Sequence, residues 1–157
     1  MSVAFTKESD SEAVAADLPD RPMSAHPNLV TPAGLGAIDA ALSAAKVAYA
    51  AAQAGGAISA DRTAMARATR DLRYWSARRA SAQLIEAAID DTVVFGACVT
   101  IAGDAGERTW RIVGEDEADP ANGSVSYVSP LARALLGKDV GEVAIVAGVE
   151  VEIVAVG

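Results

Sequence analysis

The sequence predicts an α+β fold: an N-terminal antiparallel α-helical coiled-coil hairpin followed by an antiparallel β domain with one helix. Three observations predict it. Two heptad-spaced apolar stripes flank a double glycine, Gly55-Gly56. Beyond Asp90-Asp91, β-branched residues replace alanine as the leading apolar type. One Ser129-Pro130 pair then opens a single short helical run within the β-rich half. The implied organisation is an acidic flexible tail over residues 1–28, a hairpin over 29–91 with its tip near residue 57, and a β domain over 92–157.

The tail sets Pro19, Pro22 and Pro27 among acids and small residues, so it reads as extended and weakly ordered, with no fixed contact to the body. Thr31-Pro32 then starts a helix, since threonine suits the N-cap and proline the first helical position. Leu35, Ile38, Leu42, Ala45, Tyr49 and Ala52 follow at alternating steps of three and four, the spacing of a coiled-coil seam. The double glycine stops that helix, and Ser59 or Asp61 caps the next. Met65, Ala68, Leu72 and Trp75 repeat the seam, and Ala82, Ile85 and Ile89 extend an apolar stripe. Pairing Tyr49 with Met65, Leu42 with Leu72, Ile38 with Trp75 and Ala45 with Ala68 keeps the sum of residue numbers nearly constant, as an antiparallel hairpin requires. Periodicity and turn chemistry thus locate the same turn.

Val93–Ile101, Arg108–Val113, Ser124–Val128, Val140–Val146 and Val149–Val156 read as strands. Gly103-Asp104-Ala105-Gly106 and Ala147-Gly148 are hairpin turns. Ser129–Leu136 is the helix, with Ser129 as N-cap, Pro130 at its first position and Gly137 as its stop.

Composition narrows the function. The 157 residues carry a net charge of −8, and only 4% are aromatic. Residues 1–28 hold five acids and two bases, 29–90 five acids and seven bases, and 91–157 eleven acids and four bases. The acidic total excludes autonomous duplex-DNA binding, which depends on neutralising phosphates. The basic middle segment is the candidate nucleic-acid-facing surface. No apolar run reaches the ~18 residues a bilayer crossing needs, and the acidic N-terminus is no secretory signal. The single Cys98 lies in an apolar run and reads as a buried strand thiol, which suits a reducing cytoplasm. His26 stands alone in the tail. No catalytic residue, metal or cofactor is assigned.

Two separated motifs carry a resemblance: Ile112-Val113-Gly114-Glu115-Asp116-Glu117-Ala118-Asp119-Pro120, and Ser129-Pro130-Leu131-Ala132-Arg133-Ala134-Leu135-Leu136-Gly137-Lys138. In this order, with a strand-like segment between, the pair resembles the C-terminal domain of the Gre family of bacterial transcription elongation factors. Leu29-Val30-Thr31-Pro32-Ala33-Gly34-Leu35 looks like the family's entry into its first hairpin helix, and Val94-Phe95-Gly96-Ala97 like the first strand of its C-terminal domain. The likeness runs from about Leu29 to Gly157. It implies an FKBP-like β domain, a core RNA polymerase partner, and a hairpin placed in the polymerase secondary channel. The implied polymerase contact falls on Val128, Ser129 and Pro130, although Val128 stands where family members often carry a polar or acidic residue.

Two departures concern the hairpin tip. Gre factors carry an aspartate and a glutamate there, which help hold a second Mg²⁺ at the polymerase active site. A hard cation needs such anionic oxygens. Here the run is Gly56-Ala57-Ile58-Ser59-Ala60-Asp61, with alanine at both acid positions and Asp61 left as a helix cap. The hairpin is also shorter than the family's usual one by roughly two heptads, so each arm loses about 10 Å of reach. Arg67, Arg70 and Arg73 project from the second helix as a basic ridge, which is either a solvated face or a surface attracting RNA or acidic channel walls. The acidic loop Glu115–Asp119 has a composition that suits a cation, and serves equally to order a turn or face a basic partner.

These residues together lead to the expectation of a cytoplasmic, non-enzymatic RNA-polymerase-binding regulator of elongation that acts at the secondary channel without stimulating transcript cleavage. Its only contact with RNA would be indirect, within the channel, and it would have no membrane partner. Two alternatives stand beside it. One is a true Gre-type factor that rescues backtracked polymerase. The other is an FKBP-like prolyl isomerase, for which Phe95, Trp110 and Tyr127 would have to line the pocket.

Overall fold

The computed structural model describes residues 18–55, 59–88 and 90–157. Among them, two compact units divide the chain: residues up to Ala25 with Ile38–Ser81, and His26–Ala37 with Ala82–Gly157.

The first unit is built on two helices. Helix α1 spans Pro32–Ala54 and α2 spans Ser59–Ser81, each 23 residues and about 34 Å long. The first turn of α1 belongs to the second unit. Thr31 caps it as expected: its carbonyl accepts from Leu35 N at 2.9 Å and its hydroxyl from Gly34 N at 3.0 Å. Along the seam, Ile38, Ala45 and Ala68 are buried, while Leu42, Tyr49, Ala52, Met65, Leu72 and Trp75 are half-buried. Partial burial follows from two helices whose seam is rich in alanine, which fills little volume. Arg79 Nε donates to Asp39 Oδ1, an ion pair linking the two helices beside the seam. The predicted tip residues Ala57 and Ile58 lie outside the described residues, as do the side chains of Ser59, Ala60 and Asp61.

Three expectations are corrected in this part of the chain. The second apolar stripe does not continue as helix: α2 ends at Ser81, whose hydroxyl turns back to Ala77 O at 2.9 Å, and Ala82 and Ile85 lie beyond it. The chain instead runs into strand β2, Gln83–Leu84, which pairs in parallel with β1, Leu29–Val30. Residues 18–28 do make fixed contacts. Asp20 and Arg21 reach α2, Asn28 is buried with its carbonyl accepting from Gln83 N at 2.8 Å, and Pro27 O accepts from the Tyr127 hydroxyl. Finally, an 18-residue window of α1 has a mean hydropathy of 1.3, long and apolar enough for a membrane span by composition alone. Alanine supplies that value, and Asp39 within the helix is the residue paired with Arg79.

The second unit holds a five-stranded sheet in the order β5-β4-β3-β7-β6, with β3 at Cys98–Gly103, β4 at Gly106–Val113, β5 at Ser124–Ser126, β6 at Val143–Val146 and β7 at Val149–Val156. Both predicted hairpin turns are present. Gly103 faces Gly106 across the first, and Ala147 and Gly148 both take positive φ (50° and 79°) in the second, as a two-residue hairpin demands. The strands are shorter than expected at several ends. Val93–Ala97 is not strand, and Val140 precedes β6. The sheet is also not wholly antiparallel, since β4 and β5 run parallel. The loop from Gly114 to Gly123, with its 3-10 turn at Pro120–Asn122, is long enough to carry the chain back before it pairs.

Helix α3, Pro130–Leu135, buries Ala132 and Leu135 against Val93, Val99, Ile101, Ile112, Val125, Ala144 and Ile153. Gly137, at φ 82°, closes its far end by donating to Val93 O at 2.8 Å. Cys98 lies on β3 as expected but is half-buried, paired with Arg111 on one side and exchanging backbone hydrogen bonds with Gly157 on the other.

Candidate functional site

The two motifs singled out in the sequence form two local structures within the sheet unit. Val113 ends β4, and Gly114 brings the following loop against β1. A Cβ on Gly114 would lie 2.3 Å from Leu29 O, so only glycine permits that approach. The loop then places Glu117 at the start of α1, where its Oε2 accepts from the Thr31 hydroxyl at 2.6 Å. A carboxylate is favoured there because the first turn of a helix carries partial positive charge. Asp119 works locally: its backbone N–H donates to Ser124 Oγ at 2.9 Å, and Asn122 Nδ2 donates to its Oδ2 at 2.6 Å. The acidic loop thus orders the return into β5. Among the described residues, no group of three or more acids, histidines or cysteines is placed to hold a metal ion.

The second motif makes an exposed corner. Ser126 Oγ accepts from Val128 N at 3.2 Å and Ser126 O from Ser129 N at 2.9 Å, which turns the chain out of β5. Ser129, extended at φ −64° and ψ 152°, caps α3 by accepting from Ala132 N at 3.2 Å. Pro130 stands exposed at the first helical position, and Val128 and Ser129 are half-buried beside it. Burial of Ala132 and Leu135 fixes the helix, so the corner is a rigid presentation of Val128, Ser129 and Pro130. Tyr127 locks its base, packing edge-on against Phe95 with ring centroids 5.6 Å apart.

The arginine ridge lies in the other unit. Arg67 and Arg73 are exposed, whereas Arg70 is half-buried. Arg73 Nη1 is 3.2 Å from Asp20 Oδ1, and Arg70 Nε lies 3.8 Å from Asp71 Oδ1, an ion-pair distance too long for a hydrogen bond. Arg78, nearer the end of α2, is buried. Asp20 could not be read from the sequence as a partner of the ridge, because pairing across 53 positions leaves no local pattern.

A cleft of about 290 Å³ opens between Thr31, Pro32, Ile85, Glu86, Ala87, Gly96 and Arg111. None of Phe95, Trp110 and Tyr127 lines it, and Trp110 instead carries the Arg108 guanidinium over its ring at 4.1 Å. This cleft is therefore not the aromatic-lined pocket that a prolyl isomerase needs.

A helical hairpin and a sheet domain that carries a capped Ser-Pro corner define an α+β protein. Residues 88–157 match the family model described as the C-terminal domain of the transcription elongation factors GreA and GreB. The chain is 43% identical over 75 residues to transcription elongation factor GreA of Desulfovibrio desulfuricans, covering 45% of this chain and 46% of that protein. It is 51% identical over 69 residues to GreA of Rhodopseudomonas palustris (43% and 39%), and 56% over 57 residues to GreA of Hyphomonas neptunium (35% and 36%). The likeness to the Gre family rests on this C-terminal domain, which is less than half of the chain. The match spans less than half the length of each of these relatives. Among solved structures, GreA factor homolog 1 of Thermus thermophilus aligns over 84% of this chain and 99% of its own at 18% identity, with a TM-score of 0.40.

Proposed function

We propose that this chain is a cytoplasmic, non-enzymatic RNA-polymerase-binding regulator of transcription elongation. It docks on the core enzyme by the Val128-Ser129-Pro130 corner of an FKBP-like sheet domain, and its hairpin enters the secondary channel without stimulating transcript cleavage. The observation that carries the reading is a contrast within one chain. The docking domain matches relatives named transcription elongation factor GreA at 43–56% identity, while Ala57 and Ala60 stand where the family's tip carries its acids. Without two carboxylates, a second Mg²⁺ lacks the oxygen ligands that two-metal phosphoryl chemistry uses. The chain's residues therefore support occupancy of the channel and give no means of cleavage. Contact with RNA is indirect, through the channel, and the net charge of −8 opposes autonomous binding to duplex DNA.

The test is a pull-down with core polymerase followed by a cleavage assay on a backtracked complex. Binding is expected without added cleavage, together with competition against a cleavage-proficient Gre factor. Vigorous Mg²⁺-dependent cleavage would establish a rescuing elongation factor instead, and failure to bind would remove the polymerase reading altogether.

A further inference from the structure

The segment ahead of the hairpin is held on α2 by two consecutive residues of opposite charge. The Arg21 guanidinium carbon lies 3.8 Å from the centroid of the Tyr74 ring and 5.3 Å from that of Trp75. These two rings meet edge to face at 84° with centroids 5.0 Å apart. Arg21 Nη1 is also 3.6 Å from Asp71 Oδ1. Asp71, Tyr74 and Trp75 are spaced three and four apart, so the helix brings them to one face. An aromatic face attracts a cation through its quadrupole, and a planar guanidinium stacks on it where an ammonium cannot. The neighbouring Asp20 takes the opposite part, accepting from Arg73 Nη1 at 3.2 Å. That pair is open to solvent, with side chains 67% and 64% exposed, whereas Arg21 is 35% exposed. The anchor is thus the arginine, and the exposed Asp20–Arg73 pair exchanges readily.

We propose that Asp71, Tyr74 and Trp75 form a guanidinium site whose ligand is the chain's own Arg21, and that docking there holds Asp20 against Arg73 as an exchangeable cover on the arginine ridge. An anionic chain that pairs with Arg73 competes with Asp20 for the same guanidinium. The cover rests on the reading of Arg67, Arg70 and Arg73 as an electrostatic surface. The site itself does not.

The experiment uses the full chain with Trp110→Phe, which leaves Trp75 as the sole tryptophan of the two. Emission from Trp75 reports the guanidinium site, and a labelled oligouridylate of about 15 nucleotides at low salt serves as the anionic probe. Arg21→Ala is expected to shift Trp75 emission to the red and to tighten oligouridylate binding about fivefold. Arg21→Lys should fall between Arg21→Ala and the parent. Asp20→Asn should tighten binding without moving the emission. Unchanged emission in Arg21→Ala overturns the site. Shifted emission with unchanged affinity, in a protein whose binding is weakened by exchanging Arg67, Arg70 and Arg73 for glutamine, overturns the cover and leaves the ridge reading intact. If that triple exchange leaves binding unaltered, the ridge reading fails and the cover fails with it.

Discussion

The Thr31 hydroxyl donates to the Glu117 carboxylate at 2.6 Å across 86 positions of sequence, while the same oxygen accepts from Gly34 N at 3.0 Å. One threonine therefore caps α1 and ties the start of that helix to the loop leaving β4. The acidic motif acquires a structural role through this bond, and residues 26–37 fall in the same unit as the sheet.

Thr31→Val should destabilise the protein by about 2 kcal/mol, because it removes a helix cap and a hydrogen bond to a charged group together. Glu117→Gln should cost less, about 1 kcal/mol, since an amide oxygen still accepts. Chemical denaturation of both single variants and the double variant measures this. Purely additive effects would show that the two side chains are not coupled.

Gly114→Ala should be more damaging than either, at about 3 kcal/mol. Its new Cβ would meet Leu29 O at 2.3 Å, and that oxygen belongs to backbone that cannot rotate away. By contrast, Gly137 has open space around the position of a Cβ, so Gly137→Ala pays only for its positive φ of 82°. A melting temperature for Gly114→Ala equal to the parent's would mean that β1 does not pack against this loop in solution.

Pro130→Ala should leave the fold within about 0.5 kcal/mol of the parent, because Pro130 is exposed and alanine is a good residue in the first helical turn. Affinity for core polymerase should nevertheless fall. Ser129→Ala differs in kind: it removes the cap of α3 and should cost about 1 kcal/mol of stability as well as binding. Titration of both variants against the core enzyme checks the assignment, and unchanged affinity in Pro130→Ala would move the interface elsewhere.

Exchanging Arg67, Arg70 and Arg73 together for glutamine should weaken binding to polymerase elongation complexes and flatten its salt dependence, since fewer charges remain to be screened. Stability should change by no more than about 1 kcal/mol, because the ion pairs lost are at the surface. A variant that unfolds would make the ridge structural. One that binds with the parent's affinity and salt slope would make it a solvated face.

Periodicity and turn chemistry in the sequence determine most of the secondary structure. The 3-4 seam, the Thr31 cap, the Ala147-Gly148 turn and the Ser129-Pro130 corner are local devices, whose partners lie within a few residues and so leave a readable pattern. The Ala57 and Ala60 substitutions are equally plain from the sequence. Only the tertiary structure decided that α2 stops at Ser81, because the apolar spacing of Ala82, Ile85 and Ile89 fits a helix until β1 offers the chain a parallel partner. It alone also decided that β5 returns parallel to β4, that Glu117 serves Thr31, and that Arg21 and Asp20 grip α2. Each of these contacts joins residues separated by more than the few positions of a local motif. Charge and geometry select such partners in space, where the periodicity of a single chain carries no record of them.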